Sequence, residues 1–553
     1  MPQTTIDFNV RVPMRDGVTL SADVYRPIER GRYPVLLTRT PYVKANERMV
    51  EEGIAWAEQG YVFMAMDVRG RGDSDGEFVP YRNDGIDGHD AIEWAAAQPW
   101  SNGNVGTTGG SYLGRIQWLT ALTRPPHLKA MCVMVTPSDP FVEFPTGVPE
   151  PMGVCWHHMT SARTMHPTKG VDWMEVYKHL PLRTMDEAAG QLMPNWREEM
   201  DHVGLDEWWR DICYQDRFDC VTVPVLHISG WYDDEQIGTP LNFRRMVEQG
   251  GTPEARAGQK LLMGPWPHAV NSTTRLGEVE FGPDARIDMR GTQQRFFDHW
   301  LKGEANGLEA EAPVRIFVMG ENVWRDEREW PLARTRFTSY YLHSGGQANS
   351  RFGDGRLSTR PPDEEPPDRY TYDPARPVPF LTEPVSSQIG GPDDYAAVQR
   401  RDDVLVYVTE PLVEHTEVTG PVRLQLYASS SATDTDFMAM LLDVHPSGFA
   451  QRLTDSMVRA RFRQGMDRQE PLESGRVECY DIDLWNTAQV FKAGHRIGLQ
   501  ITSSAFPKYD RNLNTGGSLT DGTEMRRADQ AIYHDGQHPS RLILPIIPGE
   551  DLS

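Results

Sequence analysis

The sequence predicts an α/β unit followed by an all-β module, and two features carry that expectation. In the first 135 residues four short, nearly continuous apolar runs (PVLLTRTPY, YVFMAMDVRG, VGTTGGS and LKAMCVMVTP) alternate with helix-like stretches. Parallel strands buried on both faces read this way. Beyond about residue 334 the chain becomes a series of short alternating strands separated by Gly and Pro, the pattern of a β-sandwich or jelly roll.

The elements follow in order. FNVRVPM and TLSADVYRP alternate apolar and polar residues around Arg15-Asp16-Gly17, a hairpin signal. Helical stretches at 85–98 and 112–123 separate the apolar runs, so an open α/β sheet is expected. From about 141 to 215 the chain is rich in Trp, Met and His (PMGVCWHHMTSARTM, VDWMEVYKHL, LDEWWRDIC) and shows no strand pattern. That segment reads as a helical insertion. Strands resume at VPVLHISG and QKLLMGP, followed by a helix around TQQRFFDHWLKG. The β module is expected from VLVYVTE, GPVRLQLYASS, DFMAMLLDVHP, RVECYDIDLW, HRIGLQITSS and SRLILPII as strands of 6 to 9 residues, with PPDEEPPD (361–368) a loop that cannot join a ladder. The resulting divisions are 1–140 and 216–335 for the two parts of the α/β core, 141–215 for the insertion and 336–553 for the β module.

Composition narrows the function. The 553 residues include 56 Lys+Arg against 79 Asp+Glu, a net charge of −23. Nucleic acid and anionic membranes are therefore not expected partners, since both need a basic face. The 48 Gly and 42 Pro suit many turns and short strands. Five cysteines (Cys132, Cys155, Cys213, Cys220, Cys479) are odd in number and form no CxxC pair, which fits a reducing compartment. The N-terminus has no basic segment followed by an apolar core, and no run of 18 apolar residues exists, so a soluble, cytoplasmic protein is expected. A homo-oligomer is compatible with the sequence.

The chemistry begins at GTTGGSYLG, where Ser111 follows a strand-like run and opens a helix-like one among Gly106, Gly109, Gly110 and Gly114. A nucleophile elbow needs this crowding of small residues, because the sharp strand-to-helix turn strains the serine backbone and tolerates no bulk beside it. The helix starting at Tyr112 would direct its free N–H groups at an oxyanion on the acyl carbon. Leu113 stands where the common G-x-S-x-G pattern has its second glycine, with Gly114 one residue later. A serine hydrolase of this fold also requires an acid and then a histidine at later strand ends. GWYDDE after VPVLHIS and PWPH after KLLMG supply both. His268 is the base, while Asp233, Asp234 and Glu235 compete for the acid. The adjacent His157 and His158 with Cys155 lack helical metal spacing, and DVRGRGDSDG lacks the spacing of a dinucleotide fingerprint. Neither a metal nor a cofactor is expected.

These motifs resemble the CocE/NonD hydrolases, the cocaine-esterase family, which is allied to X-prolyl dipeptidyl peptidases and α-amino acid ester hydrolases. The resemblance runs in colinear order from VPMRDGVTL through TPYVK, DVRGRGDSDGEF, GNVGTTGGSYLG, GWYD, GPWPH and FFDHWLKG to VTGPVRLQLYASSSATDTDF, AGHRIGLQITSSAFPKYDRNLNTGG and HPSRLILPII. It implies an α/β-hydrolase domain with a helical cap insertion and a C-terminal jelly roll, acting on small-molecule esters or amides through an acyl-enzyme. It also implies Ser111 as nucleophile, Asp233 rather than Asp234 as acid, His268 as base, and an oxyanion hole formed by the Tyr42 hydroxyl and the Tyr112 backbone N–H.

The substrate is less determined by sequence. Just after the triad acid, where the resemblance to the cocaine-esterase family implies an aromatic, this chain has Asp234, Glu235 and Gln236. Acids beside the nucleophile favour a cationic substrate, and the resemblance to α-amino acid ester hydrolases implies an α-ammonium site at Glu235 and Asp234. Ester hydrolysis is therefore the first expectation. An α-amino acid ester hydrolase, β-lactam acylase or X-Pro dipeptidyl peptidase is the second. A binding protein that uses only the jelly roll is a third, opposed by the intact Ser111, Asp233, His268 and Tyr42 set.

Overall fold

A computed structural model describes residues 3–383 and 390–549 of the chain. The N-terminal part contains strands β1 (Thr4–Pro13), β2 (Thr19–Pro27), β3 (Tyr33–Thr40), β4 (Val62–Asp67), β5 (Ser101–Gly110), β6 (Leu128–Met134), β7 (Val225–Gly230), β8 (Lys260–Gly264), a small hairpin β9 (Arg275–Leu276) and β10 (Val279–Glu280), then β11 (Val314–Val318) and β12 (Val323–Glu327). Ten of these form one sheet in the order β1-β2-β4-β3-β5-β6-β7-β8-β11-β12. Strands β3 to β8 and β11 run parallel, with antiparallel pairs β1–β2, β2–β4 and β11–β12 at the margins.

Helices α1 (Glu47–Glu58), α2 (Asp84–Ala96) and α3 (Tyr112–Ala121) connect the first strands. Five short helices, α4 (Gly153–Thr160), α5 (Trp173–Lys178), α6 (Met185–Ala188), α7 (Pro194–Asp201) and α8 (Glu207–Arg210), lie between β6 and β7. They are followed by α9 (Gly238–Gln249), α10 (Pro253–Ala257) and α11 (Met289–Lys302). The apolar runs are continuous because helices cover both faces of the sheet. Leu37, Met64 and Met66 join the core formed with Ala91, Ile92 and Trp118 of α2 and α3. Their neighbours Leu36, Phe63 and Ala65 point the other way, onto Trp56 of α1 and Phe297 and Leu301 of α11. The capping insertion has its own core of Met152, Trp173, Trp196 and Met200, so those two tryptophans serve packing.

The C-terminal jelly roll comprises β13 (Arg336–His343), β14 (Arg356–Ser358), β15 (Asp368–Tyr372), β16 (Leu405–Val408), β17 (Thr416–Ser430), β18 (Asp436–Val444), β19 (Ala450–Arg459), β20 (Glu478–Phe491), β21 (Arg496–Thr502), β22 (Ala528–Tyr533) and β23 (Arg541–Ile547). Leu342, Tyr407, Leu424, Leu441, Ile482, Leu499 and Leu542 share its core. Two expectations need correction. Strands β17 and β20 have 15 and 14 residues, longer than the 6 to 9 expected, because they pair along nearly their whole length with a register shift between Pro421 and Arg423. Asp368 is a strand residue, not loop: it opens β15 opposite Ile532. Its buried carboxylate accepts from the Ser344 and Tyr407 hydroxyls and the Ala348 N–H, which draws the end of the Pro-rich segment into the ladder. None of the five cysteines is in a disulfide, and among the described residues no helix is long and apolar enough to cross a membrane.

The jelly roll presents polar groups to the α/β core. On β19 Arg452 Nε lies 2.6 Å from Asp455 Oδ2, and the fully buried Lys508 Nζ lies 2.6 Å from Asp455 Oδ1. Gln451 donates to the Tyr232 hydroxyl, and the Asn486 N–H donates to Gln236 Oε1. The loop after β7 is thereby braced from behind by the β module.

Candidate active site

Ser111 joins β5 to α3 with φ 59° and ψ −129°, a left-handed backbone that costs a non-glycine residue about 1–3 kcal/mol. The turn is held by hydrogen bonds from Ser111 N to the carbonyls of Met134 and Val135 (3.0 and 2.8 Å), and from Gly114 N and Arg115 N to Ser111 O. A Cβ at Gly114 would sit 2.1 Å from Thr136 Oγ1 and 3.0 Å from Met134 O, and one at Gly109 would sit 2.5 Å from Leu113 Cβ. Close approach of the turn to the end of β6 and the residues after it, and to the first turn of α3, thus excludes side chains there. Tyr112 is the first residue of α3, so its N–H has no acceptor within the helix. Its ring is locked by a 2.5 Å hydrogen bond from its hydroxyl to Asp84 Oδ2, and by stacking on Tyr81 (4.5 Å) and Trp156 (5.8 Å).

Ser111, Tyr42, Tyr112, Asp234, Glu235 and His268 all border one cavity of about 970 Å³. Its lining comes from the α/β core and the insertion and includes no described residue of the jelly roll. Tyr42 follows β3. The DVRGRGDSDG segment anchors that turn: Arg71 Nε donates to Pro41 O, and Asp67 accepts from the N–H groups of Lys44 and Asp73. The Tyr42 hydroxyl oxygen accepts from Trp156 Nε1 at 2.8 Å, which leaves the phenol proton free for Ser111 or an oxyanion. Burial raises the Tyr42 pKa, partly offset by the Trp156 and Ser111 hydrogen bonds, so the group stays a neutral donor.

His268 Nδ1 lies 2.8 Å from Asp233 Oδ1 and 3.1 Å from Asp234 Oδ1. Asp233 is fixed at three points, since its Oδ2 accepts from Ser229 Oγ at 2.6 Å and its Oδ1 also accepts from the Glu235 N–H. Asp234 Oδ1, despite its proximity, has no hydrogen-bond partner. Burial favours neutral imidazole, but the charges of Asp234, Glu235 and Asp233 outweigh it and raise the His268 pKa well above its ordinary value. Burial, reinforced by Asp234 and Asp233, holds Glu235 well above the usual carboxylate range despite the opposing charge of His268. Asp233, Asp234 and His268 offer ligand atoms within 4.8 Å of one another, so a divalent ion could bind there only by displacing the imidazole proton. His157 and His158 diverge to Glu199 Oε2 (3.0 Å) and Pro167 O (3.3 Å).

Sequence reasoning missed Glu150 and left Trp156 without an individual role. Glu150 lies just before α4 in the insertion and borders the cavity, with its Oε2 buried and unpaired. Burial and the charge of Asp234 raise its pKa well above the ordinary range, against an opposing Lys508. An acid between prolines in GVPEPM is the only local signal for it.

The X-Pro dipeptidyl-peptidase (S15 family) profile matches residues 16–270, and that of the X-Pro dipeptidyl-peptidase C-terminal non-catalytic domain matches 306–543. The chain is 38% identical to a cocaine esterase of Rhodococcus sp. (strain MB1 Bresler), covering 98% of each sequence. Among solved structures, an α-amino acid ester hydrolase superposes with TM-score 0.87 at 27% identity, covering 98% of this chain and 97% of that one. An aminopeptidase from a marine-sediment Thaumarchaeota archaeon gives TM-score 0.87 at 26% identity, with 99% and 97% covered.

Proposed function

The chain belongs to the cocaine-esterase-like branch of the X-Pro dipeptidyl-peptidase (S15) family of serine hydrolases, and from that premise we propose that Ser111, His268 and Asp233 are its catalytic triad. Tyr42 and the Tyr112 N–H complete the site as the oxyanion hole. Ser111 Oγ attacks the acyl carbon of an ester while His268 takes its proton; the imidazolium then protonates the leaving alcohol, and water releases the acyl group by the same route. Asp233 holds Nδ1 protonated, so that Nε2 is the basic nitrogen. The observation that carries this reading is the strained Ser111 elbow opening on the same cavity as a His268 already engaged by Asp233.

The test is covalent labelling. A fluorophosphonate should add one phosphonyl group to wild type by intact mass, with the modified peptide containing Ser111, and Ser111→Ala should remain unmodified. Labelling of the alanine variant would overturn the nucleophile assignment. The proposal also takes the four sequence divisions as domain limits, a cytoplasmic location, a small-molecule substrate without nucleic acid or membrane partners, and a chain free to form homo-oligomers.

A second reading, hydrolysis of α-amino acyl esters or amides including X-Pro dipeptide substrates, is favoured by the unpaired, buried Oε2 atoms of Glu235 and Glu150 facing the cavity. A substrate ammonium carries three donors and one positive charge, which these acids and Asp234 would satisfy. Glu235→Gln should then lower kcat/KM for a free α-amino ester by about 30-fold or more, the effect of truncating one partner of a buried charge pair. The same ester N-acetylated should change by less than about threefold. The pH profile has a definite sign. His268 must be neutral to act, and nearby carboxylates raise its pKa, so the acid limb of kcat/KM lies above about pH 6.5. Glu235→Gln removes one of those charges and moves the limb to lower pH. Equal losses for free and acetylated esters would eliminate the ammonium site.

A further inference from the structure

On the jelly roll, far along the chain from the triad, strand geometry gathers two histidines and an aspartate on one face. Asp443 lies near the end of β18, opposite Ile497 of β21, and Val444 is opposite Arg496. Continuing that antiparallel register brings His445 opposite His495. Residues 443 and 445 share a face because strand side chains alternate, and a directly opposed pair has its Cβ atoms about 5 Å apart. The two imidazole rings accordingly approach to 4.3 Å between centroids. His495 Nδ1 is 2.8 Å from Asp443 Oδ1, and His445 Nε2 is 4.0 Å from Asp443 Oδ2. One ligand atom from each of the three residues falls within 4.8 Å of the others.

We propose that Asp443, His445 and His495 form a binding site for a divalent transition-metal ion of the zinc type. Two imidazoles and a carboxylate are a donor set suited to such ions. With metal–ligand bonds of about 2.0–2.2 Å a tetrahedral site spaces its ligand atoms by roughly 3.3 Å, within the range these groups already span. The Asp443 side chain is 2% exposed, and its only ion-pair contacts among the described residues are the two histidines. A buried carboxylate without a permanent cation is costly, and a divalent ion supplies that charge.

The surroundings are those of a held ligand set. Gln489 Nε2 donates to Asp443 Oδ2 at 2.9 Å, an outer contact that orients the carboxylate. The turn after His445 is closed by hydrogen bonds from His445 N to Phe449 O and from Gly448 N to His445 O. Gln451 Oε1 lies 3.2 Å from His445 Nε2, where it or a water completes the coordination. The histidine side chains are 29% and 14% exposed, so the ion exchanges with solvent from one side. Bound metal would clamp the β18–β19 hairpin to the start of β21.

The test is zinc binding by the full chain, stripped with chelator and desalted, measured by calorimetry and by metal analysis after gel filtration. Wild type should bind about one zinc per chain at this site and gain thermal stability on zinc addition. His445→Ala and His495→Asn should weaken that binding by more than about a hundredfold, since loss of a ligand exceeds the loss of an outer-shell partner, and should abolish the thermal shift. His268→Asn removes the other candidate cluster and should leave this binding intact. Replacement of zinc by cobalt should give visible bands in wild type and His268→Asn but not in His445→Ala. No zinc binding, equal binding by His445→Ala, or loss of binding in His268→Asn would each overturn the proposal.

Discussion

Asp233→Asn is expected to lower kcat for ester hydrolysis by about 10⁴-fold, whereas Asp234→Asn should cost less than about tenfold. Both carboxylates approach the same nitrogen of His268, at 2.8 and 3.1 Å, so distance alone does not separate them. Their anchoring does. Asp233 is held by Ser229 Oγ on one oxygen and by the Glu235 N–H on the other, which aims Oδ1 at Nδ1. Asp234 Oδ1 makes no hydrogen bond, and its effect on His268 is that of a nearby charge. An amide at 233 can present its NH₂ group to Nδ1, which stabilises the tautomer with the proton on Nε2 and removes the base that Ser111 needs. An amide at 234 leaves the tautomer alone and lowers the imidazole pKa, so its signature is an acid limb displaced to lower pH. Kinetics across pH on both variants, with circular dichroism to verify folding, distinguish the two roles. A loss of 10³-fold or more in Asp234→Asn with little change in Asp233→Asn would reverse the assignment of the acid.

The same pair shows where sequence reading stops. The Ser111 elbow is local: its glycines, the strand before it and the helix after it are adjacent in sequence, so the strained turn and its need for small residues are legible in GTTGGSYLG, while the contact of Gly114 with Thr136 is not. The strand-end positions of Asp233 and His268 are legible because buried parallel strands announce themselves as apolar runs. Choosing Asp233 over Asp234 from the residues alone was not possible, because the choice depends on Ser229, four residues earlier on β7 and bonded to only one of the two carboxylates. Contacts across long separations were equally silent. Trp156 meets Tyr42 across 114 positions, and Glu150 meets the acids after β7 only because the insertion folds back over the sheet.

Strand β19 escaped for a different reason. AQRLTDSMVR has no polar–apolar alternation, yet nearly all of it is buried. Its Asp455 pairs with both Arg452 and Lys508 at the boundary with the α/β core, so a pattern search that equates burial with apolar residues passes over it. Helix α9 was hidden by its first turn, Gly238-Thr239-Pro240, which reads as a breaker in isolation. A proline in the first turn of a helix loses no hydrogen bond that the helix would have made. The β module was legible as a class, because turns and alternation are local, while its role behind the loop after β7 was not. That role rests on Gln451 and Asn486 reaching Tyr232 and Gln236.

Tyr42→Phe should reduce kcat by about 10²- to 10³-fold with little change in KM, the consequence of losing one oxyanion donor worth about 2.7–4 kcal/mol in the transition state. Removing the hydroxyl leaves the ring, and the turn is fixed independently through Arg71 on Pro41 O and Thr40 Oγ1 on the Tyr42 N–H. The variant therefore isolates the donor. Orientation supplies a second handle on the same group. Trp156 Nε1 donates to the phenol oxygen, so the one phenol proton is directed away from the insertion and toward the serine. Trp156→Phe preserves an aromatic over Tyr112 while deleting that N–H; the phenol can then rotate, and kcat should fall by about fivefold, the scale of one hydrogen bond of roughly 1 kcal/mol. In the double variant the tryptophan has no hydroxyl left to orient, so its substitution should add little to the loss from Tyr42→Phe. Additive losses would show that Trp156 acts on the substrate directly. A Tyr42→Phe enzyme within about fivefold of wild type would leave the Tyr112 N–H as the principal oxyanion donor.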